Sequence, residues 1–253
     1  EASSIRKIGG LYYFVYSSTW CHELCYAVSK YPDRDFKAGG PIISNGDIGL
    51  DSWTLDRCAN YIGNNHGGMV EVNGQWYIFY HRHTHNSTYS RQACAEPVVI
   101  AQDGTIRQVE CTSCGLNAAP LATVGAYPAA IACNITNGSM PHIANRVGDI
   151  DIPCVTHDLN DRYITNITAG TKVVYKYFRF RTPVILSITV RGTGCGTVSV
   201  QAGQAQPGGI PVSPSACWHT LSILVDTCAD AALELEYQGT GRMDLLSLSF
   251  QNA

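Results

Sequence analysis

Hydrophobic and polar residues alternate in short bursts along this chain, and turn-forming residues separate the bursts. Leu11–Ser18 has the core Leu-Tyr-Tyr-Phe-Val-Tyr and is entered from Ser4–Ile8 through Gly9-Gly10. A Gly-Gly between two such runs predicts a β-hairpin. Cys25–Ser29 reads as a third short strand, and residues 30–52, rich in Pro, Gly and Asp, as a long loop. The same grammar then returns. Gly67–Val72 passes through Asn73-Gly74 into Gln75–His81, and Ala95–Ala101 follows with the turn Gln102-Asp103-Gly104. Ile8-Gly-Gly-Leu-Tyr-Tyr-Phe-Val-Tyr aligns with Val72-Asn-Gly-Gln-Trp-Tyr-Ile-Phe-Tyr at an offset of 64 residues, from Ile8 to Val72. A repeat of this size built from short antiparallel strands predicts propeller blades. Two blades do not close a ring, so either a partner or a missing N-terminal half with further blades is expected to complete residues 1–115.

Residues 116–130 are rich in Ala, Pro and Gly and lack periodicity, so they read as a linker. Strand patterns resume in residues 131–253. Lys172–Arg181, Val184–Arg191, Gly196–Gln201, Leu221–Val225, Leu233–Tyr237 and Met243–Phe250 follow one another with only turns between them. About seven short strands and no helical period predict a β-sandwich of jelly-roll type. The fold class expected is thus all-β: the C-terminal blades of a partial β-propeller at 1–115, a linker at 116–130 and a sandwich at 131–253.

Composition narrows the function. Charged residues make up 15% of the chain and the net charge is −3, with no run of Lys or Arg. A nucleic-acid partner is therefore not expected. No apolar run reaches the roughly 18 residues of a membrane span, so no membrane partner is expected either. The sequence starts at Glu1 with no signal-peptide pattern behind it, and it is expected to be a processed product or a piece of a longer protein. The 11 cysteines are an odd number, and they read mostly as small buried thiols. Cys111-Thr-Ser-Cys114 has zinc-knuckle spacing but lacks the second pair that a four-ligand site needs. Four N-glycosylation sequons begin at Asn86, Asn134, Asn137 and Asn166, and they matter only in a eukaryotic secretory pathway.

The polar residues that could carry chemistry gather at strand ends. Asn64-Asn65-His66-Gly67-Gly68 opens a blade strand, His81-Arg82-His83-Thr84-His85 closes the same hairpin, and Arg91 to Glu96 follow. A lone histidine is more often structural than catalytic. Several polar residues converging on neighbouring strand ends point instead to a channel-side site. In the sandwich, Tyr163, Tyr175, Tyr177, Trp218 and Tyr237 are available to stack on a sugar, although most strand aromatics pack inward. Trp218, beside Ser213-Pro214-Ser215-Ala216, is the exposed candidate.

Glu1-Ala-Ser-Ser-Ile-Arg-Lys-Ile with Tyr12-Tyr13-Phe14-Val15-Tyr16-Ser17-Ser18 resembles the acid-bearing blade of family 43 glycoside hydrolases. Asn65-His66-Gly67-Gly68 with Trp76-Tyr77-Ile78-Phe79-Tyr80-His81-Arg82 resembles the next blade of that family. Ile152-Pro153, Thr156-His157-Asp158, Asp161-Arg162-Tyr163-Ile164 and Asp244-Leu245-Leu246 resemble a family 6-like carbohydrate-binding module. The resemblance implies a five-bladed propeller that cleaves arabinofuranosyl or xylosyl linkages with inversion, using an acid and a separate base. It implies Glu1 as general acid and His66 as the histidine beneath the sugar, linked through water to a central calcium or sodium ion. Arg91 would grip the sugar in the first subsite and Trp218 would bind it on the module. No organic cofactor is implied.

The partners implied are a plant cell-wall polysaccharide or oligosaccharide and the absent N-terminal blades, and the location is secreted. The family's base and its modulating aspartate lie on earlier blades, and Asp33, Asp35, Asp47, Asp51 and Asp56 match neither role. A carbohydrate-binding protein that does not cut its ligand is the alternative, and a scaffold without sugar affinity is a third option.

Overall fold

The computed structural model describes residues 1–19, 23–117, 119–138, 140 and 151–253. Cys21 and Ser139, the last residue of the Asn137 sequon, lie outside the described residues. The described secondary structure is strands and one short 3-10 turn, Ala129–Ile131, so the all-β expectation is met.

The first sheet is an antiparallel meander of β1 (Ser4–Ile8), β2 (Leu11–Ser17), β3 (Leu24–Ser29) and β4 (Lys37–Ile43), paired in that order. The second holds β5 (Gly68–Val72), β6 (Gln75–Thr84) and β7 (Ser87–Val98). Period-two alternation sends Tyr13 and Val15 of β2 inward with Tyr26 of β3, against Met69, Ile78 and Tyr80 of the second sheet. The β5–β6 turn is the one that Asn73-Gly74 predicts: both residues have positive φ, +52° and +82°, as a type I′ hairpin requires. Gly67 is fixed by close approach, because a Cβ there would lie 1.8 Å from the Phe79 carbonyl oxygen.

Three boundaries differ from those read in the sequence. The loop expected at 30–52 contains β4. Its Gly39-Gly40-Pro41 core hides it, since Gly and Pro weaken a strand signal. Gly39 is needed there, as a Cβ would overlap the Tyr26 ring at 2.1 Å. β7 starts at Ser87 rather than Ala95, because its polar first half pairs with β6 through the backbone. Part of the expected linker belongs to the sandwich: β8 (Leu121–Ala122) and β9 (Gly125–Pro128) are sheet edges that need no hydrophobic period of their own.

The sandwich continues with β10 (Asn134–Thr136), β11 (Cys154–His157), β12 (Arg162–Ile167), β13 (Lys172–Arg179), β14 (Val184–Gly192), β15 (Cys195–Ala202), β16 (Gly208–Val212), β17 (Ser215–Val225), β18 (Asp230–Thr240) and β19 (Met243–Asn252). One sheet runs β10-β13-β18-β15-β16, with β8 beside β13. The other runs β11-β12-β19-β14-β17, with β9 beside β19. The inward faces meet in a core that includes Tyr175, Phe178, Phe180, Leu186, Ile188, Leu235, Leu248 and Phe250. Of the sandwich aromatics offered as sugar platforms, Tyr175 and Tyr237 are fully buried in this core.

Blades and sandwich are joined by buried polar contacts. The Lys176 ammonium lies 3.2 Å from Asp47 and 3.1 Å from Glu110. Asp47 is fully buried and also accepts from the Cys111 N–H at 2.8 Å and the Asn134 amide at 3.0 Å. Burial alone would lower the Lys176 pKa, but Asp47, Cys133 and Glu110 together raise it, so the lysine stays charged. Arg82 donates to the carbonyls of Ala130 and Ala132 and to Gln92. Asn60 donates to the carbonyls of Asn45 and Cys133 and accepts from the Ile135 N–H.

Removing one partner of a buried pair strands the other charge, at a cost of about 3–5 kcal/mol. Lys176→Met is expected to lower the unfolding free energy by about that amount in urea titration. Lys176→Met with Asp47→Asn is expected to recover part of the loss. A single variant as stable as the parent would show that the pair does not hold the two halves.

Candidate active site

The two blades bring the two sequence-flagged ends together. The Glu1 carbonyl accepts from the Ser17 N–H at 2.9 Å and its ammonium donates to the Ser17 carbonyl at 3.0 Å, which extends the β1–β2 ladder to the first residue. The Glu1 carboxylate then lies 3.9 Å from the Nε2 of His66. It is 68% exposed, while the His66 side chain is 35% exposed, so the pair opens to solvent.

Behind His66 stands a row of imidazoles. The His66 backbone N–H donates to His81 Nε2 at 3.1 Å. The His66 and His81 rings meet edge-on at 5.3 Å, His81 stacks on His83 at 6.1 Å, and Tyr61 lies 5.7 Å from His83. Alternation along β6 produces the row, since His81 and His83 share one face and Arg82 takes the other. The His-x-His spacing signalled it in the sequence. Burial first, and then the charges of Arg91, His66 and His83, hold the His81 pKa down to about 4. Neutral His81 can thus accept the His66 N–H.

Arg91 sits on β7 opposite His83. It lines a surface groove between the β6–β7 hairpin and the sandwich loop at 157–162. Trp218 is apart from this group, on β17. Its ring is half-buried, with the Arg191 guanidinium 4.1 Å above it and Tyr163 edge-on at 5.4 Å. Its indole N–H donates to Asp161 at 2.9 Å. The open face expected of Trp218 is therefore partly covered by Arg191. Glu1 and His66 are brought together, Arg91 lies near them through His81, and Trp218 belongs to another surface.

Among the described residues no three His, Cys, Asp or Glu side chains converge as a ligand set, and His66 offers one imidazole. No step is assigned to a metal. Cys111 and Cys114 instead donate to the carbonyls of Ser44 and Lys176.

A pocket of about 270 Å³ lies where blades and sandwich meet, lined by Arg82, Gln92, Cys94, Glu96, Cys111 and Cys133 among others. Glu96 is buried there and accepts from the Thr112 N–H and hydroxyl at 2.7 and 2.6 Å and from the Tyr80 hydroxyl at 3.3 Å. Burial outweighs these bonds and pushes its pKa from 4.5 up to about 8.

Residues 1–106 match the family model of Glycosyl hydrolases family 43. A xylosidase/arabinosidase of Thermoclostridium stercorarium is 42% identical over 262 aligned positions, covering 98% of this chain and 55% of that protein. A beta-xylosidase of Xylanibacter ruminicola is 31% identical over 112 positions, covering 44% of this chain and 31% of that protein. The chain thus spans about half the length of the first relative and a third of the second. Among solved structures, a family 43 arabinoxylan arabinofuranohydrolase from Bacillus subtilis, in complex with cellotetraose, aligns with a TM-score of 0.48 and 18% identity over 100% of this chain and 54% of its own. A family 6 carbohydrate-binding module aligns with a TM-score of 0.43 and 15% identity over 53% of this chain and 98% of its own.

Glu96 makes stability pH-dependent. A folded pKa above the unfolded one means that the folded state holds the proton more tightly. The stabilisation is complete below about pH 4.5 and is lost as the pH rises through about 8. His81 acts in the opposite sense, losing stability as the pH falls from 6.5 toward 4. Between pH 6.5 and 8 the Glu96 slope is therefore the one exposed. The melting temperature is expected to fall across that window and to flatten in Glu96→Gln. An unchanged slope in the variant would show that Glu96 is already ionised.

Proposed function

We propose that the chain, whose residues 1–106 match the family model of Glycosyl hydrolases family 43, supplies the acid side of a glycoside hydrolase for xylosyl or arabinofuranosyl linkages of plant polysaccharide. The observation that carries this reading is the Glu1 carboxylate beside His66, where the ends of two adjacent blades converge. Glu1 would give its proton to the leaving oxygen, and His66 would orient Glu1 and line the floor of the sugar site. Arg91 would reach the sugar hydroxyls, and Trp218 would serve the sandwich's own contact with glycan.

An inverting reaction needs a second carboxylate roughly 6.5–9.5 Å from the acid, to hold water on the far face of the sugar. Asp47 does not serve, because it is buried against Lys176. Asp33, Asp35, Asp51 and Asp56 sit in exposed turns. We propose that further blades bring the base and cover the open face of the first sheet, where Phe14 lies 5.8 Å from Tyr16 and 5.6 Å from Phe36. Such a substrate is too large to enter a cell intact, so the site of action would be outside it. Binding without cleavage is the competing reading, favoured by the exposure of the Glu1 carboxyl.

The 253-residue chain alone is expected to leave aryl xylosides and arabinofuranosides intact. In the protein that contains it, Glu1→Gln is expected to lower kcat on xylo-oligosaccharides by about 10²–10⁴-fold. The loss should be much smaller on a dinitrophenyl glycoside, whose leaving group needs no proton. Equal turnover by parent and variant on both substrates would favour binding without cleavage.

A further inference from the structure

The β6–β7 hairpin and the β11–β12 turn meet in a seam that shares Arg91 with the proposed sugar site and is otherwise separate from the Glu1–His66 pair. The hairpin turns at His85 and Asn86, both at positive φ. The His85 N–H donates to the Val155 carbonyl at 2.8 Å, the His157 N–H donates to His85 Nε2 at 3.3 Å, and the two rings meet edge-on at 4.5 Å. On the other side of the His85 ring, Nδ1 lies 2.9 Å from both the Thr84 and Ser90 hydroxyls. Asp158 pins the second turn by accepting the N–H groups of Asn160 and Asp161. The walls of the seam are therefore set before any ligand arrives.

Between these turns runs a groove of about 380 Å³, lined by His85, Arg91, His157, Asp158, Asn160 and Arg162 among others. Its volume is that of a small-molecule or oligosaccharide site. Arg91, Asn160 and Arg162 line the groove and are exposed to solvent. Asp158 and Asp161 balance the two arginines and are already engaged by Arg191 and the Trp218 indole. Leu159, also on the wall, is fully exposed at 100%, and Tyr89, next to the lining residue Ser90 in β7, is exposed at 83%.

Planar hydrogen-bonding groups whose charges balance, with an exposed tyrosine one residue along β7 from the lining, suit a neutral polyhydroxylated chain better than an anion or an apolar helix. Arg91 also places the groove next to His81, and so next to the row that ends at His66 and Glu1.

We propose that this seam is an accessory subsite for the neutral backbone of a pentose polysaccharide, built jointly by the blade hairpin and the sandwich turn. The proposal rests on the glycan-cleaving reading for its choice of polymer. It predicts that the sandwich works as a wall of the substrate path, so that one polysaccharide chain touches both halves at once.

The test uses the 253-residue chain and the double variant Tyr89→Ala/Asn160→Ala. Both side chains are exposed, so the variant is expected to unfold at the parent's urea midpoint. Affinity electrophoresis on soluble xylan and calorimetric titration with xylohexaose are expected to show affinity at least tenfold weaker. In the protein that contains the chain, kcat/KM on xylan should fall by a similar factor while turnover of an aryl xyloside, too short to reach the seam, stays unchanged. Parent-like xylan affinity in the variant would overturn the subsite, and so would equal retardation of the parent by polygalacturonate, which would mark simple charge attraction. Loss of activity in Glu1→Gln with intact seam binding, or the reverse, separates the fate of the two proposals.

Discussion

The buried contact between Asp47 and Lys176 is the constraint on which the relation of the two halves depends. A carboxylate with no access to water has to be met by a cation and by hydrogen-bond donors, and here it is met from both sides of the junction. Cys111 N–H comes from the blade half, while Asn134 and Lys176 come from the sandwich. The neighbouring Arg82 and Asn60 repeat the logic by donating to carbonyls at 130–133. A polar junction of this kind is directional. It allows one arrangement of hairpin against turn, whereas an apolar junction would tolerate sliding. The fixed seam between His85 and His157 is a consequence of that arrangement.

The same period of two that builds the blades also builds the candidate site. β6 sends Arg82 toward the sandwich and His81 and His83 toward the row behind His66. One strand thus serves the junction and the site with alternate residues. This links stability to chemistry: a change at Arg82 would move the backbone that carries His81, and through the His66 N–H the imidazole beside Glu1.

Much of this was legible in the sequence where side chains set the structure. Asn73-Gly74 announced its turn, and the apolar run Leu11–Ser18 and the alternating run Lys172–Arg181 announced strands, found at Leu11–Ser17 and Lys172–Arg179. What escaped notice was set by the backbone or by distance. β4 has Gly39-Gly40-Pro41 at its centre, and its glycine is explained by the Tyr26 ring of another strand. β8 and β9 are edges held by ladder bonds alone. Asp47 sat in a loop dense in aspartates, and nothing local distinguishes it from Asp51, because its partner is 129 residues away. Glu1 and His66 were legible as a pair only through family resemblance, since an exposed first residue carries no pattern of its own.

Trp218 and Tyr89 show why residue type alone does not find a glycan surface. Trp218 is the larger platform, yet Arg191 covers one face, Tyr163 meets its edge and Asp161 takes its N–H. Those contacts make it a clamp on the 157–162 turn. Asp161 and Asp158, which Trp218 and Arg191 hold, shape the wall that presents Asn160 and Leu159. Tyr89 has the opposite character: a ring with nothing packed on it, on a strand anchored elsewhere by its pairing to β6. An aromatic residue is available to a ligand only where the fold has not already used its faces. By that criterion the Trp218 face under Arg191 is closed to a ligand, and the open surface beside it is the turn that Trp218 supports.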